Sequence, residues 1–569
     1  MTDYIGISAY YHDSSVALIR DGKLKVFLKE ESFTRVKGSS HFPIESLKYL
    51  INNFDINADS INGICFYEKP LRGWLSLLAY SLSMPLIRWK LTSVLLKKFW
   101  DGPLFIADEI KKLLPNSISK LVYCDHHLSH ALCGLAYAEP KQDWLVIVID
   151  GVGDGETFSV FTCVDGQINR VSSQLYPHSL GLFYSAITEY LGYSINDGEY
   201  KVMALASYGE PKYLDFMRDY MIMHKEDQFQ LNMDYFDFDK NPECSFSAKL
   251  IDKFGPPARE LVYPYEKETD HFSRFADVAA SAQALTELVI RDTIIHNISL
   301  TGINNVVLSG GVAQNCKAIS KLVELNEISE LVVPPSPGDS GAALGAAIFA
   351  CRTAGEDFIP EASIYPGHDP VFSDIFSRLF TLRYTGEDLC HKAAELLKNG
   401  EILATYIGSA EMGPRALGHR SLLCDASDED TVFKLNSIIK KREDFRPLAP
   451  IILEKNAGNY FEINNKGKKN YSWMGCTSAA KNITFENYRS IIHVDGSARV
   501  QVVKCSDTDL ISGILSKCDT LGIHILVNTS FNIAGDPIVF DDIDCYTNMS
   551  RMDLRWLITD NGIYERIDD

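Results

Sequence analysis

Residues 144–171 read WLVIVIDGVGDGETFSVFTCVDGQINRV. The six apolar residues Trp144–Ile149 have the pattern of a strand buried on both faces, and the Asp150-Gly151 pair ends it. A polar loop leads to a second strand pattern, Thr157–Cys163, and Asp165-Gly166 turns the chain into a third, Gln167–Val171. Asp-Gly between β-rich runs is a strong hairpin signal, because both residues tolerate positive φ. Further toward the N-terminus the same order occurs: strand Tyr4–Ala9, polar loop Tyr11-His12-Asp13-Ser14-Ser15, strand Val16–Arg20, turn Asp21-Gly22, strand Lys23–Leu28. Two copies of one design, each followed by helical stretches, predict two similar α/β halves facing a cleft.

A third element fits that plan. Asn305–Leu308 is a strand pattern running into Ser309-Gly310-Gly311-Val312-Ala313-Gln314-Asn315, where paired glycines let backbone approach a nucleotide closely. An ordinary tight turn explains the pair equally well when it is taken alone. Hairpin loops at the start of each half are how actin-like and sugar-kinase-like folds grip nucleotide phosphates.

Past Thr353 the texture changes. The helical AALGAAIFACRT gives out, and PEASIYPGHDP at 360–370 reads as a linker. Beyond it Leu389–Leu397 is a helix pattern and Ile402–Ile407 a strand pattern, in a stretch dense in Arg, Lys and Gly. The expected domains are therefore 1–359 and 371–569, in line with the two to four that a chain of 569 residues suggests.

Composition excludes several classes. The chain is 46% hydrophobic and 23% charged, as soluble globular proteins are. Fifty-five basic against seventy-five acidic residues give a net charge of −20, which argues against a general nucleic-acid binder. The thirteen cysteines are scattered with no C-x-x-C, so zinc ribbons, dithiol redox motifs and a disulfide scaffold lose support. The start, MTDYIGISAYYHD, lacks a secretory pattern, and a reducing, cytoplasmic location is expected. Residues 71–100 carry five basic and no acidic side chains, but Pro85 interrupts an apolar run too short to cross a bilayer. They read as a pair of amphipathic helices, with a surface for an apolar or anionic substrate as the alternative. No transmembrane segment is expected, and a homo-oligomer is compatible with the sequence.

The sharpest chemical signal is Asp125-His126-His127-Leu128-Ser129-His130. Asp125 is a candidate N-cap for the helical LSHALCGLAYA, which sets His126 and His130 at i and i+4 on one face, with His127 pointing elsewhere. That spacing suits two imidazoles on one metal ion. Satisfied core histidines are the plain alternative, weakened by three histidines in five residues out of fourteen in the chain. Asp150 at a strand end and Asp339 before a helix are candidates to complete the set, with a turn residue and an N-cap as their ordinary roles. Two His and two Asp fit iron(II), zinc or manganese, and donor type does not choose between them. His12, in the first hairpin loop beside Asp13, is a candidate base because imidazole titrates near neutral pH. A hydrogen-bonded loop residue is its plain alternative.

The C-terminal region signals anion binding. GPRALGHRS at 413–421 places Arg415 and Arg420 in a Gly-punctuated stretch, and KKREDFRP at 440–447 adds Lys440 and Arg446 among four cations. Arg499 lies in HVDGSARVQ, and Asn528 and Ser530 lie in NTSFN after the strand pattern IHILV. Such clustering in an acidic chain points to a polyphosphate pocket, against the alternative of a solvated basic face.

In these stretches the sequence resembles the O-carbamoyltransferases, the family of the nodulation, cephalosporin-pathway and tobramycin carbamoyltransferases. YHDSSVAL, EESFTRVK, DHHLSHA, VIDGVGDGE, DGEYKVMALASYGEP, LSGGVAQN, VPPSPGDSGAALGAA, EMGPRALGHRSLL, KKREDFRPLAP, HVDGSARVQ and NTSFNIAGDPIV occur in the family's order across nearly the whole chain. The resemblance implies an actin-like (duplicated RNase H-like) N-terminal α/β domain and a smaller, YrdC-like α/β C-terminal domain. It implies that the second domain makes carbamoyl-adenylate and pyrophosphate from ATP, with magnesium, and carbamoyl phosphate. Arg415, Arg420, Lys440, Arg446, Arg499, Asn528 and Ser530 match its holders of phosphates and carbamoyl group.

In the first domain the resemblance implies iron(II) on His126, His130, Asp150 and Asp339. It implies His12 as general base on an acceptor hydroxyl, Gly310, Gly311 and Asn315 at the adenosine, and Lys201 in a matching nucleotide loop. The expected acceptor is a small natural-product or sugar alcohol. Two rivals stand beside this. A relative acting on tRNA or protein is disfavoured by the acidic balance and the missing zinc-ribbon cysteines. A non-catalytic actin-like ATPase leaves the histidine pair and the second Arg-rich domain without a role.

Overall fold

The computed structural model describes residues 2–567 apart from 58, 83–101, 226–227, 262–264, 266–268, 361–362, 441–444 and 507–508. It divides into two compact units, residues 1–25 with 38–362, and residues 26–37 with 363–569. The division after 362 falls inside the expected linker. Residues 26–37, counted with the N-terminal domain on the sequence, group here with the second unit. Within that unit Phe27 N donates to Pro366 O at 2.7 Å, and the Phe33 ring lies 4.8 Å from that of Phe540.

The first unit repeats one sheet. Strands β1 (Asp3–Ser8), β2 (Ser15–Arg20), β3 (from Lys23), β4 (Ile61–Phe66) and β5 (Leu121–Tyr123) lie in the order β3-β2-β1-β4-β5. Strands β6 (Trp144–Gly153), β7 (Glu156–Val164), β8 (Gln167–Leu175), β9 (Asn305–Ser309) and β10 (Glu330–Val332) lie in the order β8-β7-β6-β9-β10. Each copy is third-second-first-fourth-fifth. In both, the first strand is antiparallel to the second and parallel to the fourth, and the fourth is parallel to the fifth. This is the duplicated RNase H-like, actin-like topology expected from the sequence.

The short turns that betrayed the repeat adopt the backbone their residues favour: Asp21 has φ 51° and Asp165 φ 50°, each followed by glycine at positive φ. β6 differs from its expected end, because the strand runs on through Asp150 to Gly153. Its six apolar residues are each at most 1% exposed, which explains a run without alternation.

Helices fix what the strands carry. We number them α1 (Pro70–Leu82), α2 (His126–Leu135), α3 (Asp270–Thr301) and α4 (Asp339–Thr353). The sequence of α4, DSGAALGAAIFACRT, is poor in bulky side chains over its first two turns, and this permits close packing. A Cβ on Gly345 would stand 1.7 Å from Ser129 O, so α4 touches α2 backbone to backbone. The contact brings the N-terminus of α4 to the face of α2 that carries His126 and His130. Only the first of the two helices expected in 71–100 is described, as α1; the remainder of that expectation lies on 83–101, outside the described residues.

The second unit is built on an eight-stranded mixed sheet: β11 (Phe380–Tyr384), β12 (Leu403–Thr405), β13 (Ser421–Asp425), β14 (Ala449–Leu453), β15 (Gln501–Val503), β16 (Ile525–Ser530), β17 (Trp556–Thr559) and β18 (Gly562–Arg566), ordered β11-β18-β17-β12-β13-β16-β14-β15. Helices α5 (Leu389–Lys398) and α6 (Leu510–Thr520) contribute Ala393, Leu397, Ile511 and Ile514 to a core shared with Leu403, Ile451 and Leu526. Among the described residues no helix is long and apolar enough to cross a membrane.

Candidate functional site

The helix that presents the histidines is capped in an unexpected way. Asp125 occupies the N-cap position of α2, but its side chain makes no capping bond. It pairs with Lys69 Nζ at 2.9 Å and Arg72 Nη1 at 2.5 Å. Asp154, after β6, does the capping: Oδ2 accepts from His126 N at 3.0 Å, and Oδ1 from Lys69 N at 2.9 Å. A carboxylate at a helix N-terminus is stabilised by the free N–H groups there.

On α2, His126 and His130 stack as their spacing predicts, with their Nε2 atoms 3.1 Å apart. His127 points away and has its Nδ1 2.7 Å from Ser159 Oγ. Burial, reinforced by His126, holds its imidazole well below the ordinary range and hence neutral.

Both expected carboxylates meet the pair. Asp150 Oδ2 is 3.1 Å from His126 Nε2 and 3.6 Å from His130 Nε2. Asp339 Oδ1 is 3.7 Å and 3.3 Å from the same two atoms. Asp339 is not the N-cap of α4; Gly338 occupies that position, and Asp339 is the first helical residue. One donor atom from each of the four residues lies within 4.8 Å of the others, and all four residues are buried.

The electrostatics of the cluster call for a cation. Both oxygens of Asp339 are buried without a hydrogen-bond donor, a costly state for a carboxylate. Burial lowers His126 and raises Asp150 taken singly. Their mutual hydrogen bond overcomes this, pushing the imidazole up to about 10 and holding the carboxyl well below the usual range. His130 Nδ1 lies 3.0 Å from Pro337 O, and because a carbonyl only accepts, Nδ1 is the donor there, which turns Nε2 toward the cluster. Two imidazoles and two carboxylates so arranged fit a divalent transition metal.

His12 stands at the edge of this centre, in the β1–β2 loop. Its Nδ1 is 3.0 Å from Asp13 Oδ2, and its Nε2 is 3.8 Å from Asp339 Oδ2. Burial lowers the imidazole, but Asp339 and the Asp13 hydrogen bond outweigh it and push it up to about 9.

Sequence reasoning missed Glu68. It lies just past the end of β4, and its neighbour Tyr67 has its ring 5.0 Å from that of His126. Burial, and next Asp154, push its carboxyl up to about 8. A carboxylate just beyond an apolar strand, in Phe66-Tyr67-Glu68-Lys69, was the available signal.

The Gly-Gly loop abuts the centre. Gly310 has φ 90°, and a Cβ there would lie 2.3 Å from Ile149 O. Gly311 N donates to Asp150 Oδ1 at 2.8 Å. Asn315 is committed within the fold: Oδ1 accepts from Ala318 N at 3.1 Å, and its amide exchanges two hydrogen bonds with Gln283. Lys201 lies on the helix Glu199–Ala206 with Nζ 5.3 Å from the centre of the Tyr193 ring.

In the second unit, Lys440 is 3% exposed, and its Nζ donates to Ser530 O at 2.8 Å, Asn532 O at 2.6 Å and Asn532 Oδ1 at 2.9 Å. It is thereby fixed at the end of β16. Two residues earlier on the same face, Asn528 Nδ2 donates to Ala416 O at 3.1 Å and Gln501 Oε1 at 2.6 Å, while its Oδ1 is buried without a donor. Lys440, Asn528, Ser530 and the 413–421 loop therefore meet. Arg415, Arg446 and Arg499 are half-buried.

Arg420, expected beside them as a phosphate holder, is held more deeply than Arg415, Arg446 and Arg499. It is fully buried, stacks 4.4 Å over the Tyr406 ring, and gives its guanidinium to the carbonyls of Ile407 at 2.5 Å and of His419 and His368 at 3.3 Å. A guanidinium committed to backbone carbonyls stabilises a loop.

A duplicated actin-like unit with a buried two-histidine, two-aspartate centre, joined to a second α/β unit with a buried lysine, defines a two-unit α/β enzyme. Comparison with known proteins agrees. Residues 3–348 match the family model of the carbamoyltransferase N-terminus, and residues 394–566 that of the carbamoyltransferase C-terminus. The chain belongs to the carbamoyltransferase family, and it is an enzyme.

An uncharacterized protein of Synechocystis sp. is 32% identical over 99% of this chain and 96% of its own. The nodulation protein NolNO of Sinorhizobium fredii is 28% identical over 98% of this chain and 80% of its own. The 3'-hydroxymethylcephem-O-carbamoyltransferase of Streptomyces clavuligerus is 31% identical over 46% of this chain and 48% of its own.

Proposed function

We propose that the protein is an ATP-dependent O-carbamoyltransferase that makes carbamoyl-adenylate in its second unit and consumes it in its first. The observation that carries this reading is the convergence of His126, His130, Asp150 and Asp339, with Asp339 bearing two donorless buried oxygens. A chaperone-like ATPase has no use for such a centre.

In the second unit, water cleaves carbamoyl phosphate to phosphate and carbamate; a carbamate oxygen then bonds to the α-phosphorus of ATP as its bond to the β-phosphate oxygen breaks, giving carbamoyl-adenylate and pyrophosphate. Lys440 and the side chains of Arg415, Arg446 and Arg499 hold the anionic groups and stabilise charge developing on the departing pyrophosphate. The donorless Asn528 Oδ1 suits the N–H of a carbamoyl group, with Ser530 two residues along the strand.

In the first unit, Gly310 and Gly311 receive the adenosine part of the adenylate, with Lys201 contributed by the helix Glu199–Ala206. His126, His130, Asp150 and Asp339 hold a divalent metal, with iron(II) the family's expectation. When bound, the metal supplies positive charge that holds the adenylate phosphate, polarises the leaving group and offsets the carboxylate field that otherwise keeps a proton on His12. Asp13 orients His12 through Nδ1, leaving Nε2 to take the proton of an acceptor hydroxyl. The hydroxyl oxygen bonds to the carbamoyl carbon, and AMP leaves.

The relative named for a hydroxymethylcephem supports a small alcohol as acceptor. The test supplies ATP, magnesium and carbamoyl phosphate with a panel of sugar and natural-product alcohols, and reads one carbamoyl group of added mass on an acceptor. Pyrophosphate release that ignores carbamoyl phosphate would overturn the reading.

A further inference from the structure

The loop that carries Arg415 is shaped around a carboxylate of the protein itself. Glu411, 5% exposed, accepts at Oε1 from three backbone amides: Leu417 N at 2.8 Å, His419 N at 3.0 Å and Arg420 N at 3.1 Å. Amides converging in this way form the nest that many loops offer to a bound anion. Here the nest is already filled.

The loop's outward polar groups are also held. Ala416 O accepts from Asn528 Nδ2 at 3.1 Å, and Leu417 O accepts from Gln501 Nε2 at 2.7 Å and from Tyr365 OH at 3.0 Å. The His419 ring stacks on Tyr365 with centroids 3.7 Å apart. Carbonyls bound from outside and amides bound from inside leave the loop a single shape, and that loop carries Arg415, which the proposed function assigns to the anionic substrates.

We propose that Glu411 is a positioning residue for carbamoyl activation: its carboxylate moulds residues 413–420 and so sets the place of Arg415. The proposal rests on reading the second unit as the carbamoyl-adenylate-forming one. What matters is the reach of the Glu411 side chain to three amides. Glutamine keeps that reach and an acceptor oxygen; aspartate keeps the charge and falls short by one methylene.

The experiment compares Glu411→Gln and Glu411→Asp in the full chain. Hydrogen exchange of the 412–421 segment reads the loop directly, and KM for ATP and carbamoyl phosphate is taken from carbamoyl-phosphate-dependent ATP–pyrophosphate exchange. In E411D, loop protection falls and both KM values rise about tenfold with kcat changed less, while E411Q stays within about threefold of the parent on both readouts. E411Q more impaired than E411D, or both variants behaving like the parent, would overturn the proposal. If the parent itself shows no carbamoyl-phosphate-dependent exchange, the activation reading fails, and loop protection with calorimetric ATP binding still decides whether Glu411 positions the loop.

Discussion

His130 gives its Nδ1 hydrogen to the carbonyl of Pro337 at 3.0 Å, two residues before Asp339. One contact thus orients an imidazole and tethers the turn that brings in a carboxylate, as outer-shell partners of metal ligands commonly do. Dialysis against ferrous, zinc or manganese salt should load one equivalent of metal, measured by elemental analysis. His130→Ala and Asp339→Asn should bind at least about tenfold more weakly. A chelator should lower the unfolding midpoint of the parent and leave that of D339N unmoved, since the amide needs no cation beside it. Full occupancy in both variants would place the metal elsewhere.

How much of this was legible follows from what each feature depends on. The twofold repeat was readable because Asp-Gly turns and apolar runs are local, and both turns have the positive φ those residues tolerate. The histidine pair was readable because helical spacing alone puts His126 above His130. Asp154 as the cap of α2 was not, since it comes from the turn after β6, 28 residues past His126, and displaces the nearer Asp125. The charge of Arg420 was legible, whereas its burial against Tyr406 is a tertiary fact. The capture of 26–37 by the second unit has no local signature.

His12 should be needed for transfer and not for activation. Its Nδ1 on Asp13 and Nε2 3.8 Å from Asp339 put it at the centre of the first unit. His12→Ala should reduce carbamoyl transfer by at least about 100-fold, the usual contribution of a positioned base. Carbamoyl-phosphate-dependent pyrophosphate release should continue. Loss of both activities would remove the assigned role.

Lys440 should matter to both fold and activation. Its buried ammonium supplies three hydrogen bonds at the end of β16, so Lys440→Met leaves Ser530 O and both Asn532 acceptors short of a donor. The expected cost is about 2–4 kcal/mol in stability, read by chemical denaturation. Adenylate formation should stop, while carbamoyl-adenylate supplied directly should still be turned over. A variant active with ATP and carbamoyl phosphate would show that the lysine serves structure alone.

Gly310 should tolerate no side chain. An alanine there meets both a φ of 90° and the Ile149 carbonyl at 2.3 Å, and relief moves Gly311 off Asp150. Gly310→Ala should cost about 2–4 kcal/mol and weaken metal binding, because Asp150 loses the amide that orients it. Elemental analysis of the folded fraction reads the second effect. Parental metal content would uncouple the loop from the centre.

His368 makes the second unit acid-sensitive, and the sign follows from its surroundings. Burial, with Arg420 beside it, pushes the imidazole from an ordinary 6.5 down to about 3. Above the ordinary value the ring is neutral both folded and unfolded, and it contributes nothing to the pH dependence. As pH falls below that value the unfolded chain takes up a proton that the folded chain refuses, so stability is lost down to about pH 3 and no further. At about 1.4 kcal/mol per pH unit, the loss from this group reaches about 2 kcal/mol by pH 5. His368→Gln can retain a donor toward Asp369 O, the partner of His368 Nδ1 at 3.0 Å, without taking up a proton. At pH 7 the variant should be no more stable than the parent, and by pH 5 the difference should have moved in its favour. Hydrogen exchange of β12 and β13 at the two pH values reads this locally, apart from the histidines of the first unit. An identical acid response in parent and variant would show that His368 is protonated in the folded chain, and hence that the Arg420 environment does not exclude the charge.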